Sequence, residues 1–163
     1  MDIILKKQFL LYKSLKFKCS IGKSGKKLFK KEGDLATPKG VFKFGLVYYR
    51  KDRNKAIKSK FKKKIIKRNM GWCDDVRSKK YNQEIKFPFK YSAEKLYRKD
   101  NIYDIFINIK YNQNPVVKKK GSAIFLHLAK KSYKPTKGCI GVSKKNLLQI
   151  LSLINKNTKI IIK

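Results

Sequence analysis

From Leu15 to Ile21 the chain alternates, with Leu15, Phe17, Cys19 and Ile21 on one side and Lys16, Lys18 and Ser20 on the other. A period of two places the first set on the buried face of a strand and the second in solvent. Such runs recur, and all are short. Ile3 to Leu5 and Phe9 to Tyr12 precede this one. Val41 to Tyr49, Tyr103 to Ile109, Ala123 to Leu128 and Thr158 to Ile162 follow it, divided by turn-forming clusters such as Gly22-Lys23-Ser24-Gly25 and Thr37-Pro38-Lys39-Gly40. One segment has a clear helical period: after Ser143, a suitable cap, Leu147, Ile150, Leu151 and Ile154 fall on one face. A shorter helix is expected over Ala93 to Lys99, capped by Ser92. Residues 50–69 are basic and without periodicity, and are expected to be a surface excursion. About eight strands and two helices, without strand–helix alternation or repeat, predict a mainly β fold with attached helices.

The 163 residues are one domain's worth of chain, 1–163, and 42% of them are hydrophobic. That is too apolar for a disordered tail. No apolar run reaches the ~18 residues that span a bilayer. Met1 to Cys19 is interrupted by Lys6, Lys7 and Lys13, unlike the continuous apolar core of a secretory signal, so no signal peptide is visible. The formal net charge of +34 suggests a polyanionic partner such as nucleic acid, an anionic membrane face or an acidic wall polymer. Only five of the 44 basic residues are Arg, however, and base- or phosphate-reading proteins rely on the Arg fork. Lysines scattered along a chain that also has ten Asn fit a compositional bias that fills solvated positions. No nucleic-acid-binding motif accompanies them. Cys19, Cys73 and Cys139 are odd in number and lack CxxC spacing, and His127 is the only histidine, so a metal site is not expected.

The segment Gly121 to Val142 carries the chemistry. A strand delivers His127, a loop follows, and the chain reaches Thr136-Lys137-Gly138-Cys139-Ile140. Glycine before a cysteine permits a tight turn. It allows the amides around Gly138, Cys139 and Ile140 to converge as an oxyanion hole requires. A thiol becomes a useful nucleophile where an imidazole takes its proton to give an ion pair. A core cysteine and a satisfied core histidine are the alternative.

These residues resemble the L,D-transpeptidase catalytic (YkuD-type) domain, whose signature is a His, a spacer, then Ser/Thr-x-Gly-Cys. Here it reads His127, eight spacer residues, then Thr136-Lys137-Gly138-Cys139. Glu32-Gly33-Asp34 with Thr37-Pro38-x-Gly40-Val41-Phe42 is similar to another block of the family. So are Gly71-Trp72-Cys73-Asp74-Asp75 with Tyr81-Asn82, Tyr103-Asp104, and Gly121 through His127, in the manner of a compact proteobacterial branch. Lys137 stands where many members have His, Gly141 where many have Arg, and Leu128 where Gly is common.

The resemblance implies a β-sandwich or barrel with a helix after the cysteine. It implies Cys139 as nucleophile, His127 as base, Gly138 in the oxyanion turn, and neither cofactor nor metal. Peptidoglycan stem peptides are the implied partners, with Trp72, Asp74, Tyr103, Arg98, Thr136 and Lys137 as candidate binding residues. Arg98 is also suited to pair with Asp100 or Asp104. The implied reaction cleaves an L–D peptide bond and passes the acyl group to an amine of a second stem. Water in place of that amine gives an L,D-carboxypeptidase, and a basic nucleic-acid-binding module is the alternative of a different class. The implied location is the cell envelope or periplasm, where the lysines would associate with anionic polymers.

Overall fold

The computed structural model describes residues 1–163. Fourteen strands form in chain order, and the first three are β1 (Ile3–Lys6), β2 (Phe9–Tyr12) and β3 (Leu15–Ser20). After them come β4 (Lys26–Lys27), β5 (Thr37–Pro38), β6 (Gly40–Tyr49) and β7 (Lys63–Ile65). A second group is β8 (Met70–Cys73), β9 (Glu84–Lys86), β10 (Ala93–Lys95), β11 (Ile105–Ile109) and β12 (Phe125–Leu128). Finally β13 (Ile140–Val142) leads into α1 (Lys144–Leu153), and β14 (Lys159–Ile162) ends the chain.

Eight strands close on themselves in the order β11, β12, β13, β3, β2, β1, β14, β6 and back to β11. Closure works because β6 is ten residues long. Its first half pairs with β14 and its second half with β11, so one strand serves as both ends of the sheet. A closed sheet leaves few free edges. β7 adds alongside the end of β6, and β8, β9 and β10 form a separate three-stranded sheet.

Strand alternation then divides the interior into two clusters. From β11, Ile105, Ile107 and Ile109 enter a 24-residue, largely aliphatic cluster, while Phe106 enters a nine-residue, mostly aromatic one. β12 sends Leu126 and Leu128 to the first and Phe125 to the second. At β13, Ile140 and Val142 face the aliphatic side and the preceding Cys139 the aromatic side. Both faces of β11, β12 and β13 are therefore covered, and every residue in them is buried. The expected helix forms at Lys144–Leu153. Ser143 accepts a hydrogen bond from the Asn146 amide at 3.2 Å, and Leu147, Ile150, Leu151 and Ile154 join the aliphatic cluster.

Two expectations fail. Ala93 to Lys99 is not a helix: Ala93–Lys95 is a strand paired with Gly71, Trp72 and Cys73. The segment has one fully buried apolar residue, Leu96, too few for a helical stripe, and strand pairing satisfies its backbone instead. Residues 50–69 are no mere excursion. Ile57 and Phe61 enter the aliphatic cluster and Ile66 the aromatic one, with Phe61 edge-on to Phe44 at 6.1 Å. Most strands that the alternation misses are only two to four residues long, and several are paired to the main sheet or to β8.

Candidate active site

β12 and β13 are parallel neighbours, with Leu126 opposite Ile140 and His127 opposite Gly141. Cys139 precedes β13 and so lies level with Phe125, two residues from His127 on the same face of the sheet. The Phe125 amide donates to Cys139 Sγ at 3.3 Å, and the thiol donates to the Ala123 carbonyl at 3.0 Å.

The turn holding Cys139 is fixed from both sides. Thr136 Oγ1 donates to the Cys139 carbonyl at 2.6 Å and accepts from the Gly138 amide at 3.1 Å. Thr37, from β5, donates to the Gly138 carbonyl at 2.8 Å. Gly138 has φ +139°, and a Cβ there would stand 2.8 Å from the Ala36 carbonyl oxygen, so only glycine fits. A second close approach explains Gly141. Its missing Cβ would meet Ser20 Oγ at 2.6 Å and Ala129 Cα at 3.0 Å, leaving no room for an arginine.

His127 is buried, with Tyr103 edge-on at 5.5 Å between ring centroids. Its Nδ1 lies 2.8 Å from the Leu128 carbonyl oxygen. A carbonyl only accepts, so Nδ1 carries the proton and Nε2 is the bare, basic nitrogen. Burial pulls the imidazole pKa down to about 4, against the Leu128 hydrogen bond. Burial likewise pushes the Cys139 thiol up to about 12, with the Glu94 carboxylate adding to the effect. At those values thiol and imidazole are both neutral around pH 7 and do not form a standing ion pair.

Both open onto one cavity of about 370 Å³. Asp74, Arg98, Tyr103, Thr136 and Lys137 line it too, so the structure gathers five of the six candidate binding residues there. Trp72 is set behind it. Its indole N–H donates to Asn82 Oδ1 at 2.9 Å, and its ring packs edge-on to Phe125 and Tyr48. Gly138 sits in the backbone turn beside the cavity. Arg98 pairs with Asp100 at 2.7 Å and approaches Glu94 at 3.9 Å. A larger hollow of about 630 Å³, beside Phe29 and Tyr111, contains neither cysteine nor histidine.

Sequence reasoning passed over Glu94, Lys30 and Glu32, which also line the cavity. Glu94 accepts from the Tyr103 hydroxyl at 2.8 Å, and Lys30 is buried against Asp34 at 2.6 Å. The scarcity of acids in so basic a chain was the signal available for Glu94. All three cysteines are free thiols, Cys19 in the aliphatic cluster and Cys73 at the end of β8.

A family model, the L,D-transpeptidase catalytic domain, matches residues 3–162. The chain belongs to this family. No curated protein and no solved structure matches it. As an L,D-transpeptidase-family enzyme it carries the mainly β, barrel-like sheet that the sequence blocks implied. No helix is long and apolar enough to cross a membrane.

Proposed function

We propose that the protein is a cysteine acyltransferase that cross-links peptidoglycan stem peptides at L–D peptide bonds. The observation that carries this reading is the shared cavity of Cys139 and a His127 whose tautomer leaves Nε2 free. His127 Nε2 takes the thiol proton as Cys139 Sγ attacks the carbonyl carbon. The charge that develops on the carbonyl oxygen is met by the Cys139 amide, because the Gly138 amide is already taken by Thr136. The imidazolium then protonates the departing nitrogen of the D-residue, the C–N bond breaks, and a thioester remains. An acceptor amine gives its proton to His127, forms the new amide bond and expels the Cys139 thiolate, which recovers that proton.

With both groups neutral at rest, the thiol proton moves only as the sulfur attacks. A general base that is uncharged before substrate binds is ready to accept the proton, and burial strengthens the fields acting on the transition state. The positive surface would hold the enzyme against anionic polymers of the cell envelope. The test is intact-protein mass spectrometry after incubation with a carbapenem, with Cys139→Ala alongside. An adduct on the wild type alone is expected. Its absence on folded protein would overturn the reading. Purified disaccharide tetrapeptides then show whether the product is a cross-linked dimer, as expected, or a trimmed monomer from hydrolysis.

A further inference from the structure

Phe29 is 85% exposed and its neighbour Leu28 64%, although the chain has two clusters in which to bury them. They are the one adjacent pair among the large apolar residues left in solvent, where Met1, Val41 and Ile65 stand singly. The pair is held in place at both ends. Lys26 and Lys27 before it lie in register with Thr37 and Pro38, and after it the Glu32 amide donates to the Lys119 carbonyl at 2.8 Å. That bond sets the pair beside the turn Val117 to Lys120, and Val117 is also an exposed apolar residue. Leu28, Phe29 and Tyr111 line the hollow of about 630 Å³ together with Lys31, Lys119 and Lys120. Lys27, Lys31, Lys118, Lys119 and Lys120 are exposed, and none is in an ion pair. The two acids of this segment are already occupied, Glu32 by the Tyr81 hydroxyl and Asp34 by Lys30.

An apolar tip flanked by unpaired ammonium groups matches one kind of surface. We propose that Leu28 and Phe29 dock the protein on an anionic lipid bilayer. Their side chains enter the boundary between headgroups and acyl chains while the lysines meet the lipid phosphates. A nucleic acid or a wall polymer would satisfy the lysines and leave both apolar side chains in water. A second copy of the chain would set the same lysines against one another, in a molecule of net charge +34. Lys30 and Glu32 line both this hollow and the Cys139 cavity, so the docked protein holds that cavity beside the lipid surface. The docking does not depend on the chemistry at Cys139.

Co-sedimentation of the full chain with vesicles tests this. Wild type is expected to partition at least about tenfold more strongly onto equimolar phosphatidylglycerol–phosphatidylcholine vesicles than onto phosphatidylcholine alone. Leu28→Ser/Phe29→Ser should lower partition onto the anionic vesicles by about 30-fold, through the loss of two apolar side chains from the interface. Its thermal melt should match wild type, since both residues are exposed. Ile65→Ser is the control. Ile65 pairs with Tyr49 at one end of β6, whereas the Lys27 carbonyl accepts from the Lys39 amide beside the other. That variant should partition within about twofold of wild type. Partition unchanged in the double variant is attraction of charge alone and overturns the proposal, as does an equal loss in Ile65→Ser. Phe29→Trp adds a spectroscopic reading, with emission expected to shift to the blue on anionic vesicles and to be quenched by bromine on the acyl chains. An unshifted, unquenched indole overturns docking by this tip. A dimer lost in the double variant, seen by sedimentation velocity without binding to vesicles, overturns it in favour of a second copy.

Discussion

Cys19 and Cys139 are both buried free thiols, and burial pushes each up to about 12. Cys19 sits in the aliphatic cluster among the isoleucines and leucines of the barrel. Cys139 belongs to the aromatic cluster and lines a cavity that His127 also lines. Burial and a raised thiol pKa therefore do not distinguish a nucleophile from a packing group. What separates the two regions is an opening, a histidine whose Nε2 is left free by a backbone carbonyl's hold on Nδ1, and a turn fixed from both sides. The aliphatic side holds the barrel closed, and the aromatic side holds groups in position.

The largest expected effect breaks this comparison at Cys139 and His127, the proposed nucleophile and base. Cys139→Ser and His127→Ala should each lower kcat/KM by about a thousandfold or more while the protein stays folded. Cys19→Ser should leave kcat/KM of the folded fraction within about threefold, since its sulfur meets only the core. Activity assays paired with thermal melts decide it. Loss of activity in step with unfolding in all three variants would erase the distinction.

Next comes stability. Leu5, fully buried in β1, belongs to the aliphatic cluster and lines no part of the cavity. Leu5→Ala should lower unfolding free energy by about 3 kcal/mol, the usual cost of such a cavity, without altering KM. Denaturant titration measures the first and steady-state kinetics the second. A changed KM would show that the two regions are mechanically coupled.

His127, the only histidine, gives a pH handle on the aromatic side alone. Its folded pKa of about 4 lies below the ordinary 6.5. Between those values the unfolded chain binds the proton more readily, so stability should fall as pH drops from about 6.5 to 4. The full contribution is up to about 3 kcal/mol. Glu94 works the other way, because its raised pKa favours the folded state as pH falls toward 4.5. Urea titrations of Glu94→Gln from pH 7 to 4 should isolate the slope. Adding His127→Gln should flatten it, and a slope that survives would move the low-pH sensitivity elsewhere.

The legibility of each region follows from the same division. Alternation at Leu15 to Ile21 and the stripe Leu147, Ile150, Leu151 and Ile154 revealed strand and helix because each has one apolar face with the right period. The aliphatic cluster was therefore readable in outline. β8 and β10 were not, being three or four residues long in a three-stranded sheet whose apolar residues follow no simple period. Glu94 was lost with them, since reading Ala93 to Lys99 as a helix gives no reason to aim that carboxylate at Cys139. The spacing from His127 to Thr136-Lys137-Gly138-Cys139 survived because backbone geometry, not side-chain periodicity, dictates it. Gly138 must have positive φ, and Thr136 must reach both sides of the turn.

The smallest effect concerns Trp72, whose place behind the cavity sharpens the boundary between packing and binding. Its indole is buried, edge-on to Phe125 at 5.1 Å, and its N–H is satisfied by Asn82 Oδ1. That oxygen also accepts from the Ala123 amide at 3.0 Å, and the Ala123 carbonyl in turn holds the Cys139 thiol. Trp72→Phe removes one buried hydrogen bond and some ring area but leaves Asn82 its second donor. Stability should fall by about 1 to 2 kcal/mol by chemical denaturation. The KM should stay within about twofold, because the ring does not line the cavity. A large rise in KM with little change in stability would return Trp72 to the cleft wall and place the edge of the binding site beyond the aromatic cluster.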